Sequence, residues 1–404
     1  MLIVLYYALV CAPSYAALPI DQTPRSGAYV NSEGSPLLPL LHNARGKIDI
    51  EIYTIKDKTV RTLLRDALKR GVNVRIVKDA SVLGETCNVF GNGADTGALN
   101  PDAVDCPDQQ QFVREVRQAG GVFEPFNEAA LCGIGIGAGR HGCFQHGKIA
   151  LVDGLALISS GNFDSTNLCI AEEQPRTCNR DYSVIIERQD VFNTLEKIFE
   201  ADLAGNTYDL RSLIPSSLSD MLTVGPVSLD PLVRLLDSAR RTIDLEAQYL
   251  DMPIMNSAIE RAANRGVKVS LTVASACAFG HPDNGKVQNI TRVYTRFDSL
   301  GISSRMFTSQ NLINGRPGYM HAKIIVVDGA RAWIGSDNGS TESLTQNREY
   351  GFVFDTAPDV SRVLGTVAAD HLSGDTETWR ESLSCSKDGM TKVGMTLPER
   401  LLSL

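Results

Sequence analysis

The feature that most constrains this sequence is an internal repeat the size of a domain. Ile48-Asp49-Ile50-Glu51 matches Ile243-Asp244-Leu245-Glu246, and Arg70-Gly71-Val72-Asn73-Val74 matches Arg265-Gly266-Val267-Lys268-Val269. The shift is the same 195 residues in both matches. Repeats of about 20 to 50 residues stack into solenoids, whereas a repeat of this length predicts two similar halves that pair as a pseudo-dimer.

Each copy of the repeat has the pattern of a strand, a helix and a second strand. Isoleucine occupies every second position from Ile48 to Ile52, and Asp57 is a candidate N-cap for a helix that ends at Gly71. The second copy repeats this pattern up to Gly266. Two parallel strands joined by a helix form a right-handed crossover. We therefore predict an α/β fold with two sandwich halves, each a mixed sheet flanked by helices, related by a pseudo-twofold axis with the active site between them.

The domain boundaries follow from length and composition. A chain of 404 residues has enough apolar residues for a large core. The Ser-, Pro- and Gly-bearing stretch at about residues 205–231 separates the copies, so we assign residues 18–215 to the first half and residues 216–404 to the second.

The first residues resemble an export signal. The segment before Leu18 is apolar and nearly uncharged, and Ser14-Tyr15-Ala16 resembles a small-residue cleavage site. We interpret residues 1–17 as a signal peptide, and an uncleaved membrane anchor is the alternative, although the run is short for a membrane span. A secreted or periplasmic protein is expected.

The cysteines agree with export. Of the nine cysteines, Cys11 lies in the signal segment, and the other eight form an even set that suits an oxidising compartment. Their spacing suggests the pairs Cys87 with Cys106, Cys132 with Cys143, Cys169 with Cys178, and Cys277 with Cys385. Buried free thiols are the alternative. No Cys-x-x-Cys spacing indicates a zinc site.

The pattern His-x-Lys-x-x-x-x-Asp occurs once in each half. The two copies are His146, Lys148 and Asp153, and His321, Lys323 and Asp328. Each lies in an apolar run that ends in Asp-Gly and is followed by a second apolar run, which predicts a hairpin. Residues two apart share a strand face, so each histidine and its lysine are expected to project together. The aspartates either complete the catalytic set or bind the turn backbone, and their place at the turn favours the backbone.

Further polar residues follow each hairpin in matching order. Ser160-Gly161-Asn162 corresponds to Ser336-Asp337-Asn338, and Asn179-Arg180-Asp181 corresponds to Asn347-Arg348-Glu349. We predict that the serines and asparagines of the first pair of segments (Ser160, Asn162, Ser336 and Asn338) bind phosphate oxygens. Asp181 and Glu349 are expected to accept a hydrogen bond from an imidazole and so select its tautomer. Loop capping by the asparagines and ion pairs with the neighbouring arginines are the alternatives.

With these two motifs, the chain resembles the phospholipase D superfamily from about Tyr29 to about Asp370. The second motif, from Met320 to Gly329 and followed by Trp333-Ile334-Gly335-Ser336, is especially typical. The resemblance implies catalysis without a metal or cofactor, through a phosphohistidine. It further implies that His146 attacks phosphorus and His321 protonates the leaving alkoxide, with swapped roles as the alternative. Lys148 and Lys323 would neutralise the phosphoryl oxygens.

The substrate class is open at this point. A net charge of −8 and a pI of about 5.4 argue against a protein that coats nucleic acid, and favour lipid slightly. The leading hypothesis is a phosphodiesterase of phospholipase D type that hydrolyses phospholipid head groups at a membrane surface, with or without transphosphatidylation. The first alternative is an exported, metal-independent nuclease. The second is a cardiolipin-synthase-like phosphatidyltransferase, against which the lack of clear transmembrane helices counts. A catalytically silent phosphate-binding protein ranks last, because all the reactive groups are present.

Overall fold

The structure is a computed structural model that describes residues 18–80, 89–90, 106–132, 143–169 and 176–387. Within these residues the main elements are one seven-stranded sheet in each half and a three-stranded sheet that the halves share. The predicted signal peptide, residues 1–17, lies outside the described residues.

The first half alternates strands and helices as its sequence predicts. Its strands are β1 (Gly27–Val30), β2 (Lys47–Ile52), β3 (Asn73–Lys78), β4 (Val122–Pro125), β5 (Lys148–Val152), β6 (Leu155–Ser159), β7 (Cys178–Arg180) and β8 (Tyr182–Ile186). Its helices are α1 (Asn31–Gly34), α2 (Leu37–Asn43), α3 (Lys58–Lys69), α4 (Cys106–Gln118), α5 (Glu128–Cys132), α6 (Ser165–Leu168) and α7 (Gln189–Ala204).

The second half follows a short connection that contains α8 (Leu210–Leu213) and a 3₁₀ turn at Ser216–Leu218. Its strands are β9 (Leu222–Val224), β10 (Thr242–Ala247), β11 (Lys268–Ala274), β12 (Ser303–Phe307), β13 (Leu312–Ile313), β14 (Arg316–Met320), β15 (Lys323–Val327), β16 (Arg331–Gly335) and β17 (Tyr350–Phe354). Its helices are α9 (Leu229–Asp237), α10 (Pro253–Asn264), α11 (Asn284–Ser299), α12 (Thr341–Thr345), α13 (Ala357–Leu372) and α14 (Trp379–Ser382). The boundary predicted between residues 215 and 216 falls in the connection.

The two large sheets have the same strand order. The first is β1-β8-β6-β5-β2-β3-β4, and the second, read from the other edge, is β9-β17-β16-β15-β10-β11-β12. In both, the strands around the crossover helix (α3 or α10) are parallel and the hairpin strands are antiparallel. The Asp57 carboxylate caps α3 by accepting from the Val60 N–H at 2.8 Å. The predicted α/β fold with two similar mixed-sheet halves is therefore confirmed.

The halves share a hydrophobic core. One buried cluster contains Ile149 and Ile158 of the first hairpin together with Ile324 and Ile334 of the second. Because these side chains lie on the faces of the two sheets that pack against each other, neither hairpin can be removed without exposing the other. Each half also has a hydrophobic cluster of its own, which lies between its sheet and its helices.

Polar side chains also cross between the halves near this core. Arg348 of the second half forms an ion pair with Asp202 in α7 at 2.8 Å, and Arg180 of the first half forms one with Asp370 in α13 at 2.5 Å. The backbone also connects the halves, because β7 of the first half pairs with β14 of the second. The two ion pairs are therefore equivalent contacts of the pseudo-twofold arrangement.

Two of the four predicted disulfides are present among the described residues, Cys169–Cys178 and Cys277–Cys385. The other two predicted pairs, Cys87 with Cys106 and Cys132 with Cys143, each include a side chain outside the described residues. Among the helices described, none combines the length and apolarity needed to span a membrane.

The buried Arg348–Asp202 pair gives a test of how the halves are held together. Its side chains are only 2% and 3% exposed. Replacing Arg348 with Met leaves a buried carboxylate without its counterion, so we expect the free energy of unfolding to fall by about 3–5 kcal/mol. Arg188→Met, which breaks an exposed pair with Asp190, should change it by about 1 kcal/mol or less. Urea unfolding measures both, and equal effects would contradict a role for the buried pair.

Candidate active site

The two motif histidines lie just before strands of the hairpins and not within them. β5 begins at Lys148 and β15 at Lys323, so His146 and His321 stand two residues upstream of each strand. At that point the chain binds the opposite half: the His146 N–H donates to the Arg348 carbonyl at 2.9 Å, and the His321 N–H donates to the Arg180 carbonyl at 3.3 Å. This pairing between the halves replaces the regular strand at the histidines, so the strands predicted to contain them begin two residues later, at the lysines.

Each histidine is held by a carboxylate of the other half. The Nδ1 atom of His146 lies 2.9 and 3.0 Å from the two carboxylate oxygens of Glu349, and Nδ1 of His321 lies 2.9 Å from Oδ1 of Asp181. Since a carboxylate accepts the hydrogen, Nδ1 carries the proton and Nε2 keeps its lone pair. The side chains of His146 and His321 are 13% and 9% exposed, while both carboxylates are fully buried. The predicted carboxylate contacts exist, and they run between the halves.

The two serines predicted to bind substrate lie behind these carboxylates. Ser160 donates to Asp181 at 2.7 Å, and Ser336 donates to Glu349 at 2.5 Å, and both residues are fully buried. Each hydroxyl therefore supports the carboxylate that holds a histidine, and a contact between these serines and the substrate remains a prediction. Ser343 also donates to Glu349 at 2.5 Å. Because the first half has no serine at the position equivalent to Ser343, the repeat gave no indication that Ser343 contributes to the site.

The two lysines reach back to their histidines. Lys148 Nζ donates to the His146 carbonyl, and Lys323 Nζ donates to the His321 carbonyl and lies 3.2 and 3.3 Å from the two ring nitrogens. Both lysines are buried. The charge of Lys323 acts on His146 and that of Lys148 acts on His321, so the two motifs form one electrostatic unit.

Burial sets the protonation of this unit. Desolvation lowers the pKa of His146 to about 4, with Glu349 opposing and Lys148 adding to the effect. Desolvation and the Lys323 ammonium also lower the pKa of His321. Desolvation lowers the pKa of Lys148 to about 8 and that of Lys323 to about 7, against the attraction of Glu349 and Asp181. At neutral pH His146 is therefore a neutral imidazole with a free Nε2, as a nucleophile requires.

The pKa of Glu349 shifts downwards despite its burial. Burial alone would raise the pKa of Glu349, but the interaction with the His146 ring, the hydrogen bond to that ring and the Lys148 ammonium together outweigh the effect of burial. Glu349 is thus the charged acceptor that fixes the orientation of His146.

Asn162 and Asn338 occupy equivalent, half-buried positions. The Oδ1 atom of each is buried and has no hydrogen-bond partner among the described residues. The Asn338 N–H donates to Ser343 at 2.7 Å, which places this residue beside the Glu349 cluster. A substrate role for the two amides remains a prediction.

The two motif aspartates lie at the far end of the hairpins. Asp153 accepts from the backbone N–H groups of residues 45, 46 and 47 at 2.6, 3.0 and 2.8 Å, and Asp328 accepts from those of residues 240, 241 and 242. Both have positive φ angles, 48° and 57°, at the hairpin turns. The structure does not bring them to the histidines, because four residues of extended strand lie between each aspartate and its lysine. Each aspartate binds the start of a neighbouring strand, as the backbone alternative predicts.

Aromatic rings line the site and were not assigned from the sequence. The Tyr53 ring packs edge-on against His146 at 4.9 Å between centroids, and Lys148 Nζ lies 5.6 Å from that ring. In the second half the Tyr319 ring lies 6.4 Å from His321, and its hydroxyl accepts from Gln248 Nε2 at 2.9 Å. Gln248 occupies the position in the second half that corresponds to Tyr53, because the two are 195 residues apart. The repeat could therefore have indicated that both residues lie near the site.

One group of described residues brings together side chains of metal-binding type. Ligand atoms of Cys277, His281 and Cys385 lie within 4.8 Å of one another. The two sulfurs are joined in a disulfide and are therefore not thiolate ligands. Within the histidine site itself, both oxygens of Glu349 and Oδ1 of Asp181 accept hydrogen bonds from histidine or serine, whereas Oδ2 of Asp181 has no partner among the described residues.

Two similar halves, each giving one histidine and one lysine to a shared site, define a phospholipase D-like protein. The family described as "Cardiolipin synthase, PLD-like domain" matches residues 37–203 and again residues 232–368. The chain therefore belongs to this family, within the phospholipase D superfamily of phosphodiesterases and phosphatidyltransferases.

Individual relatives are distant. The major cardiolipin synthase ClsA of Bacillus subtilis (strain 168) is 24% identical over 86% of this chain and 68% of its own. Phospholipase D Z of Dictyostelium discoideum is 25% identical over 40% of this chain, a match that spans only 39% of that relative's length. The structure of phosphatidylserine synthase from Haemophilus influenzae Rd KW20 has a TM-score of 0.57 at 14% identity and covers 90% of this chain and 88% of its own. The last match supports the fold alone.

Two carboxylates of the motif region make a matched test of the site. Glu349→Gln removes the negative charge beside His146 and adds an NH2 group that can donate to Nδ1 and select the other tautomer, so we expect kcat/KM to fall by about 10²–10⁴-fold. Asp153→Asn changes an equally polar group at the far end of the hairpin, and activity should stay within about threefold while stability falls by about 0.5–2 kcal/mol through the lost backbone contacts. Phosphodiester cleavage and thermal unfolding measure the two effects. Strong inactivation by Asp153→Asn would restore that residue to the catalytic set.

Proposed function

We propose that this protein is a phosphatidyl-transferring enzyme that opens the phosphodiester of a phospholipid through a phosphohistidine and passes the phosphatidyl group to an alcohol acceptor. The observation that carries the proposal is the reciprocal pair of histidine–carboxylate contacts, together with two buried lysines whose charges act on both histidines. Such a site offers a nucleophile on one side of phosphorus and a proton donor on the other.

In the first step, we assign His146 as nucleophile. Its neutral Nε2 forms a bond to phosphorus while the bond from phosphorus to the leaving alkoxide breaks. Lys148 and Lys323 bind the phosphoryl oxygens, where negative charge is concentrated during transfer. Glu349 stabilises the positive charge that develops on the His146 ring.

His321 supplies the proton to the leaving alkoxide. Binding of the phosphodiester anion adds negative charge beside His321, which favours its protonated form against the effect of burial. In the second step, His321 takes the proton of the acceptor hydroxyl, the acceptor oxygen attacks phosphorus, and the bond to His146 breaks. The site returns to its starting state, so one cycle needs no metal and no cofactor.

The choice of lipid and acceptor is supported by the relatives. A cardiolipin synthase that covers 86% of this chain favours transfer to an alcohol, which was an alternative at the outset, over the leading hypothesis of head-group hydrolysis. Water is the acceptor in hydrolysis, and it competes at the same intermediate. The tyrosine rings beside the two histidines give the site apolar faces suited to a lipid.

The test uses the purified protein in EDTA with phosphatidylglycerol vesicles, with phosphatidylcholine vesicles plus ethanol, and with single-stranded DNA. We expect cardiolipin and glycerol from the first, phosphatidylethanol from the second, and no nucleotide release from the third. Phosphatidic acid as the main lipid product would favour hydrolysis, and nucleotide release would favour the nuclease.

Two histidine variants separate the roles in that assay. His146→Gln should abolish every activity because no intermediate forms. His321→Gln should slow cleavage of natural lipids by about 10²–10⁴-fold and slow a phosphodiester with a nitrophenol leaving group much less, since that group leaves without a proton. Equal loss for both leaving groups would contradict the assignment of His321 as acid.

We also propose that the protein acts outside the cytoplasm, in the extracellular space or the periplasm. The disulfides Cys169–Cys178 and Cys277–Cys385 support this because such bonds persist in oxidising compartments. Expression of the full sequence in a bacterial host, followed by fractionation and mass spectrometry, tests it. A mature chain beginning at about residue 18 outside the cytoplasm is expected, and intact cytoplasmic chain with reduced cysteines would argue against export.

A further inference from the structure

The repeat is broken at one position beside the catalytic lysines. In the first half this position is Gly161, where an added Cβ atom would lie 2.8 Å from the Cγ atom of Asp181. In the second half the corresponding residue is Asp337, which is only 4% exposed. The second half therefore holds an additional buried carboxyl group for which the first half has no room.

One oxygen of this carboxyl group is free. Oδ1 of Asp337 accepts from the Ser228 hydroxyl, whereas Oδ2 is buried and has no hydrogen-bond partner among the described residues. A buried polar atom without a partner costs about 1–3 kcal/mol, so its retention calls for a physical explanation.

Asp337 lines a small cavity together with Lys323. The cavity has a volume of about 20 Å³, and its polar lining residues also include Glu246 and Asn338. Glu246 Oε1 and Asn338 Oδ1 are buried and, like Asp337 Oδ2, have no partner among the described residues. The volume is sufficient for one water molecule, and the polar residues on the lining carry both acceptor and donor groups, as a bound water needs.

We propose that Asp337 is a positioning residue that stores a proton and delivers it to Lys323, through water in this cavity, when a phosphodiester anion binds. The inference rests on the proposed function only in requiring that Lys323 bind the phosphoryl oxygens.

The electrostatics of the free site favour the stored proton. Burial raises the pKa of Asp337 well above its usual range, with Glu349 adding to the effect, and burial lowers the pKa of Lys323 to about 7. In the proposed free site, Asp337 holds the proton as a neutral acid and Lys323 is a neutral amine. A bound anion stabilises the ammonium form, so the Oδ2–H bond of Asp337 breaks, a water molecule relays the proton, and an N–H bond forms at Lys323. No proton is taken from solvent.

Other titratable groups face the same region and must be controlled. Lys323 is influenced by His321, Lys148, Asp181 and Glu349, and Asp337 by Glu349 and Lys148. Glu246 is the second acid on the cavity, and burial raises its pKa while it accepts from Tyr182 and lies near Arg180 and Asp370. Glu246→Gln is therefore a necessary control.

The experiment is calorimetric titration of the full protein with diethyl phosphate, a monoanion with poor leaving groups. Titrations at a pH of about 8, one unit above the pKa of Lys323, in buffers of different ionisation enthalpy give the number of protons taken up. Compared with wild type, Asp337→Asn should take up about one more proton per site. Uptake by His321 and Lys148 is common to both proteins and cancels. The difference should vanish when Lys323→Met is added to both, and Glu246→Gln should behave like wild type.

The outcomes separate the two proposals. Binding with equal proton uptake by wild type and Asp337→Asn would overturn the proton store and leave the proposed function standing. Failure of wild type to bind diethyl phosphate would overturn the proposed function and the proton store with it.

A second measurement does not depend on the folding of the Asn variant. Infrared difference spectra of wild type should show the carbonyl band of a protonated carboxyl disappear on binding, and Glu246→Gln should show the same loss. Asp337→Gly, which restores the residue of the first half, should lack it. A wild-type band that is unchanged by the ligand would overturn the proposal.

Discussion

The exchange of side chains between the halves at one short segment is the interaction on which the rest of the structure depends. In each half the sequence Asn-Arg-acid-Tyr places three consecutive side chains against the opposite half. Arginine binds a helix aspartate, the acid binds the catalytic histidine, and tyrosine donates to a buried glutamate: Tyr350 to Glu51 and Tyr182 to Glu246, each at 2.8 Å. Three consecutive residues in each half therefore tie the halves together and complete the site at once.

Because of this exchange, the site is assembled only when both halves are folded together. A single half would contain a histidine without its carboxylate and a buried arginine without its aspartate, and a buried charge left alone is expensive. It also explains the burial of the site: desolvation keeps His146 neutral and makes the lysines readily deprotonated, so their charge is coupled to the arrival of an anion.

The two halves differ at a few positions beside the histidines. Gly147 in the first motif stands where the second has Ala322, because a Cβ atom at Gly147 would collide with the Tyr350 ring. Gly161 leaves space for Asp181, whereas Asp337 puts a further carboxyl group into the other half. Two equivalent imidazoles thereby acquire unequal surroundings, as separate nucleophile and acid roles require.

The sequence by itself determined the duplicated α/β fold, the crossover helices with the Asp57 cap, and the two His-Lys pairs, because periodicity, capping and repeat spacing are local properties of the chain. Only the tertiary structure decided which half supplies the partner of each histidine. It also decided that the motif serines support the carboxylates and that Asp153 and Asp328 bind hairpin backbone. Those outcomes depend on how the hairpins are placed in space. Contacts between residues as far apart as His146 and Glu349, separated by 203 positions, or His321 and Asp181, separated by 140, leave no local pattern by which one sequence could reveal them.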